Sequence, residues 1–559
     1  MMPTPSVRQA ASGVPMRPLV RTWMALPTVL AFAILAIQVW IPWSVPHFET
    51  QDGSSYVYSA VVARDLVFNP HSVYAPLYEF QKSVVPNWGT TIVLNVILSF
   101  AGVDDAEKLL MSLYIVIGFL CFSYCVRSIA PFASPWTPIA NFVLQNWLLW
   151  TGFYNFYLGT MLGLLVIGWY VRHANCMSKR RAVALSVGLT VVFFTHLMAA
   201  ALTVLAVMVI ALWMFLGRPM LLPSSPAAGS AHLDSGVRQV GMIVASLLPL
   251  VVLFVFFAQS SPESTWRGMT VADAWSESIH LFATADGPWG DQLYLWPAIL
   301  VYIVTAIIMM QRSEWKTAIG GMALATAASL LVFIILPDSG LGGGRAKIRF
   351  VWAIFIFGGI VAVSVRRLQP FRVPFALYVA GLLIANLVAT TGSLRAYSAA
   401  VEDYLSALDE FPQGSRIVRL RYPTPDIPQR YGYFVERDPL RHVDGYLAAR
   451  CRCIDIAEYQ APNRIFPIVF KASIDPIQQQ GWWWNFEAPN RNTADLLEWL
   501  FANQPGPPDY VIVIVDHSSP QLPPDFSRVM ATLEDFGMQM TAKSRASEFV
   551  RVYKRTEDR

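Results

Sequence analysis

The chain has 559 residues, of which 55% are hydrophobic and 14% charged, with a net charge of +4. Soluble domains carry roughly a quarter charged residues, so this composition excludes an ordinary soluble protein, and the small net charge gives no basis for electrostatic capture of nucleic acid. Apolar runs of about 17–25 residues, each long enough to cross a bilayer as a helix, recur from position 23 to position 395. They predict a polytopic α-helical membrane protein with about 11–12 transmembrane helices.

Arg8, Arg17 and Arg21 precede the first apolar run, Met24–Val45. That run is long and no small-x-small cleavage site ends it, so it reads as an uncleaved first span behind a cytoplasmic tail over 1–22. A loop over 46–88 follows and contains HFETQDGSSYVY, residues 47–58. Loops of this length are usually functional. Residues 53–67 predict an interfacial helix, with Tyr56, Val57, Ala60 and Val61 towards lipid and Ser55, Ser59 and Arg64 towards water. Asp52 falls at its N-cap. It is either a simple cap or a carboxylate held rigidly at the membrane face for chemistry, with Glu49 as a second acid beside it.

Further spans are expected at 89–103, 107–126, 137–152, 156–171, 182–196, 198–216, 238–258, 293–310, 316–336, 349–365 and 373–393. The basic loops at 172–181, 217–238, 312–316 and 365–372 read as cytoplasmic. The loop 46–88, the turn at His196, the loops 259–292 and 337–348 and everything after about 395 then face outward. Four apolar stretches separate 46–88 from 172–181, where opposite sides demand an odd number; 89–103, the shortest, is expected only to dip into the outer leaflet. The loop 259–292 carries Trp266, Arg267, Asp273, Trp275, Glu277 and His280, a composition suited to a lid.

From 396 to 559 the long apolar runs stop and Pro, Arg, Asp and Gln become common. SRIVRLRY (415–422), DYVIVIVD (509–516) and EFVRVYKR (548–555) predict strands, and FSRVMATLEDFG (526–537) a helix ended by Gly537. The expectation is a soluble α/β domain on the outer face of the transmembrane domain, 23–395. The cysteines offer no framework: Cys121, Cys125 and Cys176 lie in or beside apolar segments, and Cys451 and Cys453 are too close in sequence for an ordinary disulfide. No zinc-type spacing occurs.

Four outward features carry chemistry. His196, in VVFFTHLMAA, is an ionisable group at a tight helix turn. GLGGGRAKIRF, 340–350, combines glycines with Arg345, Lys347 and Arg349, which can hold a phosphate at head-group level or snorkel towards lipid phosphates. No GK[ST] ends it, so it is not a P-loop. Asn87–Trp88 and GFYNFYLG, 152–159, with Tyr154 and Asn155, supply rings and amides that anchor at the interface or line a sugar pocket.

These features together resemble the GT-C superfamily of integral-membrane glycosyltransferases. The resemblance rests on the first span, the long outward loop with an acid just past it, the many spans and the outward C-terminal domain. GFYNFYLG followed by FFTHLMAALTVL is similar to a run in uncharacterised bacterial members, and LRHVDGYLA is similar to a segment in related C-terminal domains. The resemblance implies a protein of the bacterial inner membrane, with a cytoplasmic N-terminus and a periplasmic C-terminal domain. It implies a polyprenyl-phosphate-linked sugar donor and a glycan, lipid or protein acceptor. Asp52 or Glu49 would be the general base, and Arg345, Lys347 or Arg349 would steady the departing phosphate. Such enzymes often carry a second acid, for which Asp65, Asp104 and Asp105 are counterparts, and sometimes a divalent cation, Mg or Mn. No D-x-D pair stands in the first outward loop, which argues against the oligosaccharyltransferase branch. Two alternatives remain: an O-antigen polymerase or ligase, which would place its large loop between late spans, and a transporter, which would show mid-span charges and repeated halves.

Overall fold

The computed structural model describes residues 18–48, 50–133, 144, 146–217, 226–260, 270, 272–273, 295–338, 344–408, 411–422, 440–471, 493–503, 507–515 and 525–556. The helical part runs α1 (Pro18–Trp40), α2 (Gly53–Phe68), α3 (Trp88–Ile97), α4 (Val103–Ile129), α5 (Tyr154–His173), α6 (Lys179–Thr195) and α7 (Leu197–Gly217). It continues with α8 (Pro226–Ser260), α9 (Leu295–Met309), α10 (Ala318–Ile335), α11 (Ala346–Ser364) and α12 (Arg372–Leu405). The chain is a polytopic helical membrane protein. Among the described residues, 8 helices are long and apolar enough to cross a bilayer: α1, α4, α5, α7, α8, α10, α11 and α12. Apolar composition alone does not make a continuous helix. α3 has 10 residues, a length of about 15 Å against a hydrocarbon core of about 30 Å, so it reaches only half-way. Of the span expected at 137–152, residues 137–143 and 145 lie outside the described residues, and Trp147–Trp150 form one helical turn.

α11 is the central helix. Its residues are buried along its whole length, and Trp352 stacks on Tyr157 and tilts against Phe156 of α5 at 5.4 and 5.6 Å between ring centres. By contrast, α8 presents Val251, Val252, Phe254 and Phe256 outward, as a helix facing lipid does.

After α12 the chain builds a five-stranded sheet from β2 (Arg416–Arg421), β3 (Ile454–Asp455), β5 (Tyr510–Ile514), β6 (Met538–Lys543) and β7 (Val550–Arg555), in the order β3-β2-β5-β7-β6. β2 runs parallel to β3 and β5, whereas β7 is antiparallel to β5 and β6. Every residue of β5 is buried, as its unbroken run YVIVI requires of a central strand. Helices α13 (Asp444–Cys451), α14 (Thr493–Ala502) and α15 (Phe526–Asp535) accompany the sheet. α15 buries Phe526, Val529 and Leu533 on one face, and Gly537, at φ +72°, takes the left-handed turn that ends it. The strands and helix expected at 415–422, 509–516, 526–537 and 548–555 are all present.

Two expectations need correction. The first concerns α2, which forms where expected, yet Ser55 and Ser59 do not face water. The Ser54 hydroxyl donates to the His442 carbonyl, Ser55 to Glu458, and Ser59 to Gln460 Oε1 at 3.1 Å. Tyr58 donates to the Cys453 carbonyl at 3.1 Å and accepts from the Asp455 amide at 2.9 Å. The polar face of α2 is therefore satisfied by a segment roughly 400 residues later in the chain. A second joint forms where β1 (Tyr78–Phe80) pairs antiparallel with β4 (Ile468–Phe470). The second correction is a Cys451–Cys453 disulfide. Arg452 occupies the left-handed region at φ 52° as α13 ends, which folds the backbone so that the two Cα atoms lie 5.2 Å apart, within disulfide range.

Candidate active site

Asp52 occupies the N-cap position of α2 but its side chain makes no cap hydrogen bond. The carboxylate instead lines a cavity of about 550 Å³ together with Tyr56, Asn87, His196, Arg349 and Tyr459. Capping of α2 is therefore not what holds this side chain. Gly152 is what lets the N-terminal end of α5 sit against it. This residue has φ +88°, and a Cβ built on it would lie 2.8 Å from Asp52 Cβ and 3.1 Å from the Asp52 nitrogen, so only glycine fits.

The 47–52 loop is held from below by Glu107, which lies on α4 and is fully buried. Its Oε1 accepts from the Thr50 amide at 2.9 Å and from the Thr50 and Tyr154 hydroxyls at 2.6 Å each, while Tyr446 of α13 donates to Oε2. The carboxylate rests against the Cα of Gly53, where a Cβ would fall 1.8 Å from Oε1. One acid thus joins the loop before α2, α4, α5 and α13. Sequence reasoning placed Glu107 at the edge of a span and passed over it; an acid at the start of an apolar run was the available signal.

Arg349 enters from the first turn of α11. It is 7% exposed, and its guanidinium lies over the rings of Phe153 and Phe156 at 4.8 and 5.4 Å. Its Nε has no hydrogen-bond partner among the described residues. A buried guanidinium lacking a partner for one of its donors is costly unless something completes it, and its planar fork suits a phosphate or carboxylate. Asp338 stations the helix: its carbonyl accepts from the Ala346 amide at 2.8 Å and its Oδ1 from the Lys347 amide at 3.1 Å.

His196 stands where α6 hands over to α7. Its Nδ1 accepts from the Met198 amide at 3.1 Å, so the neutral ring carries its proton on Nε2. The ring edge meets Phe156 at 5.2 Å. Asn155 works as a strut, accepting from the Thr90 amide at 2.7 Å and donating to the Asn87 carbonyl at 3.1 Å. Tyr56 is held protonated, its hydroxyl pushed well up from the ordinary phenol range by burial and then by the negative charge of Asp52. It is therefore a hydrogen-bond donor in the cavity.

The other expected residues lie elsewhere. Lys347 does not line the cavity; its Nζ donates to the Phe333 carbonyl at 3.2 Å and sits over the Phe333 ring. Arg345 lies over Trp147 at 4.7 Å, although its neighbours Gly344 and Ala346 are on the cavity wall. Trp88 stacks on Phe80, and Tyr154 is committed to Glu107. Asp104 pairs with Arg450, Asp105 with Lys108 at 3.4 Å, and Asp65 accepts from Asn69; none of the three lines the cavity. Glu49 lies outside the described residues, as do Gly340 to Gly343 and nearly all of the suggested lid, Trp266, Arg267, Trp275, Glu277 and His280 included.

Among the described residues no three His, Cys, Asp or Glu side chains gather to hold a metal ion. Asp52 shares its cavity with the Arg349 cation. Among the described residues, Asp52 is the one acid on the cavity wall, fewer oxygen ligands than Mg or Mn take.

The rest of the wall is apolar. Phe193, Leu197, Val204, Leu250, Phe254 and Phe350 contribute, and Val251 and Phe254 belong both to the cavity and to the outward face of α8, at 54% and 41% exposure. The cavity therefore has a charged end at Asp52 and Arg349 and an apolar end open towards the lipid side.

No family model and no curated protein matches the chain. Among solved structures it is similar to ArnT from Cupriavidus metallidurans, crystallised bound to undecaprenyl phosphate, with 14% identity, 97% of this chain and 98% of that chain covered, and a TM-score of 0.49.

Proposed function

We propose that the chain is a glycosyltransferase that moves a sugar from a polyprenyl-phosphate-linked donor to a hydroxyl of an envelope glycan, lipid or protein at the outer face of the membrane. The observation that carries this reading is one cavity with a carboxylate and a buried guanidinium at its polar end and a lipid-facing apolar wall at the other. A polyprenyl phosphate has the same division: an apolar tail and an anionic head joined to the sugar. The acceptor oxygen attacks the anomeric carbon as Asp52 takes its proton, and the bond from that carbon to the phosphate oxygen breaks with its electron pair leaving on the phosphate. Attack from the face opposite the leaving group inverts the anomeric centre. Arg349, steadied between Phe153 and Phe156, faces the negative charge that develops on the phosphate, and the protonated Tyr56 hydroxyl can donate to the same group or to the sugar.

The sidedness is read from the basic loops at 172–181, 312–316 and 365–372, whose charge supports an outer position for the opposite end of the bundle, with Asp52, His196 and the α/β region. The Cys451–Cys453 disulfide suits that compartment, because disulfides persist in oxidising surroundings. Among the alternatives, an O-antigen polymerase or ligase and a transporter, no feature of the cavity favours either.

The test is mass spectrometry of lipid-linked sugars and envelope glycans in a deletion strain, complemented with wild type or Asp52→Asn. Accumulated donor and one missing sugar, restored by wild type and not by Asp52→Asn, are expected. Removing a general base costs about 10²–10⁴-fold in rate. Full restoration by Asp52→Asn would sink the base assignment.

A further inference from the structure

The C-terminal α/β region brings one titratable ring to Asp52. His442 Nε2 lies 3.7 Å from Asp52 Oδ1, and the same oxygen accepts from Gln51 Nε2 at 3.4 Å. The imidazole is 7% exposed and stacks on Tyr459, ring centres 4.2 Å apart and planes 22° from parallel. Tyr459 lines the cavity beside Asp52, whereas His442 stands behind them. Its backbone is pinned too, because Ser54, two residues after Asp52, donates to the His442 carbonyl.

We infer that His442 is a positioning residue for Asp52: its Nε2–H and the Gln51 amide both address Oδ1 and so fix the orientation of the carboxylate in the cavity. This rests on Asp52 being the base. The 3.7 Å separation is longer than a hydrogen bond, and such contacts tighten when substrate closes a site. Among the described residues, Asp52 and Tyr459 face the ring, and the charges of Arg419, Arg441 and Arg421 act on it from the α/β region. Burial first, and those three cations next, hold the imidazole neutral, well below its ordinary range. It is then a dipolar donor and not a fixed counter-charge: it orients the carboxylate without trapping it as a permanent ion pair. A domain outside the helical bundle would in this way set the geometry of the base.

The experiment needs no substrate. Infrared titration of the full-length chain in detergent follows the Asp52 carboxyl stretch, identified by its absence from Asp52→Asn. A donor aimed at a carboxylate favours its charged form, so His442→Phe should move the Asp52 titration up by about one pH unit, and His442→Gln, which keeps a donor, should leave it near wild type. An unchanged titration in His442→Phe overturns the inference. Should that variant not fold, nitrogen NMR of the wild-type chain labelled at histidine decides, with His442→Gln assigning the resonance: an Nε2–H tautomer supports the inference, and an Nδ1–H tautomer, which has no donor at Nε2, overturns it. Failure of the enzymatic reading looks different, since it would show as undiminished sugar transfer by Asp52→Asn whatever the infrared result.

Discussion

Glu107 should tolerate glutamine and not alanine. In Glu107→Ala four donated hydrogen bonds lose their acceptor, but two of the donors have somewhere to turn. The Tyr446 hydroxyl already lies 3.0 Å from the Phe48 carbonyl, and the Thr50 and Tyr154 hydroxyls are 2.9 Å apart and can satisfy one another in one direction. That leaves the Thr50 amide and one hydroxyl proton buried and unmet. At about 1–3 kcal/mol for each orphaned donor, the loss is about 2–6 kcal/mol before the cost of the void is added. Glu107→Gln keeps a carbonyl oxygen for the three donors at Oε1, and its amide can donate to the Tyr446 oxygen, so about 1 kcal/mol or less is expected. Equilibrium unfolding in mixed micelles measures both. In membranes, sugar transfer should fall with alanine, because the loop carrying Asp52 loses its anchor. Equal destabilisation by both variants would refute the reasoning, since the acid would then matter for its charge and not for its lone pairs.

Arg349→Ala should raise the donor KM by about 10- to 100-fold, the worth of one charge-assisted contact at about 1.5–3 kcal/mol. Arg349→Lys should recover part of it, and an unchanged KM in both would remove the phosphate role. Gly152→Ala should destabilise the fold by about 2–5 kcal/mol, from the positive φ and the 2.8 Å clash with Asp52, with transfer falling further than the folded fraction does; a neutral Gly152→Ala would contradict the packing. Burial lifts Glu458 from the ordinary 4.5 to about 7. A raised carboxyl means the folded state binds more protons than the unfolded state between those values, so its stability falls as pH rises from about 4.5 to about 7 and then levels off. Melting profiles across that window should show the slope in wild type and a shallower one in Glu458→Gln, the remainder coming from Asp455, whose carboxyl burial raises as well; an identical slope in both would exclude Glu458 as a source.

The sequence by itself determined the class of the protein. Apolar length and scarce charge require helices in a bilayer, because no other open structure satisfies its backbone there. SRIVRLRY and the unbroken YVIVI likewise predicted strands that form. Asp52, His196, Asn155 and Arg349 were legible as ionisable or amide groups at the ends of apolar runs, where such groups are expensive and so conspicuous. What only the tertiary structure decided is which of them meet. Arg349 and Lys347 stand two residues apart in one basic run, yet a helix separates their directions by about 200°. One side chain therefore enters the cavity and the other caps a carbonyl of α10. Nothing local in HFETQDGSSYVY shows that Ser54 and Ser55 are bound by residues 442 and 458, or that Glu107, half a hundred positions on, holds Thr50. Periodicity reports which face of an element is buried, but it carries no information about the partner that buries it. For that reason the acid at the head of α2 was readable as a candidate from sequence, and its surroundings emerged only from the fold.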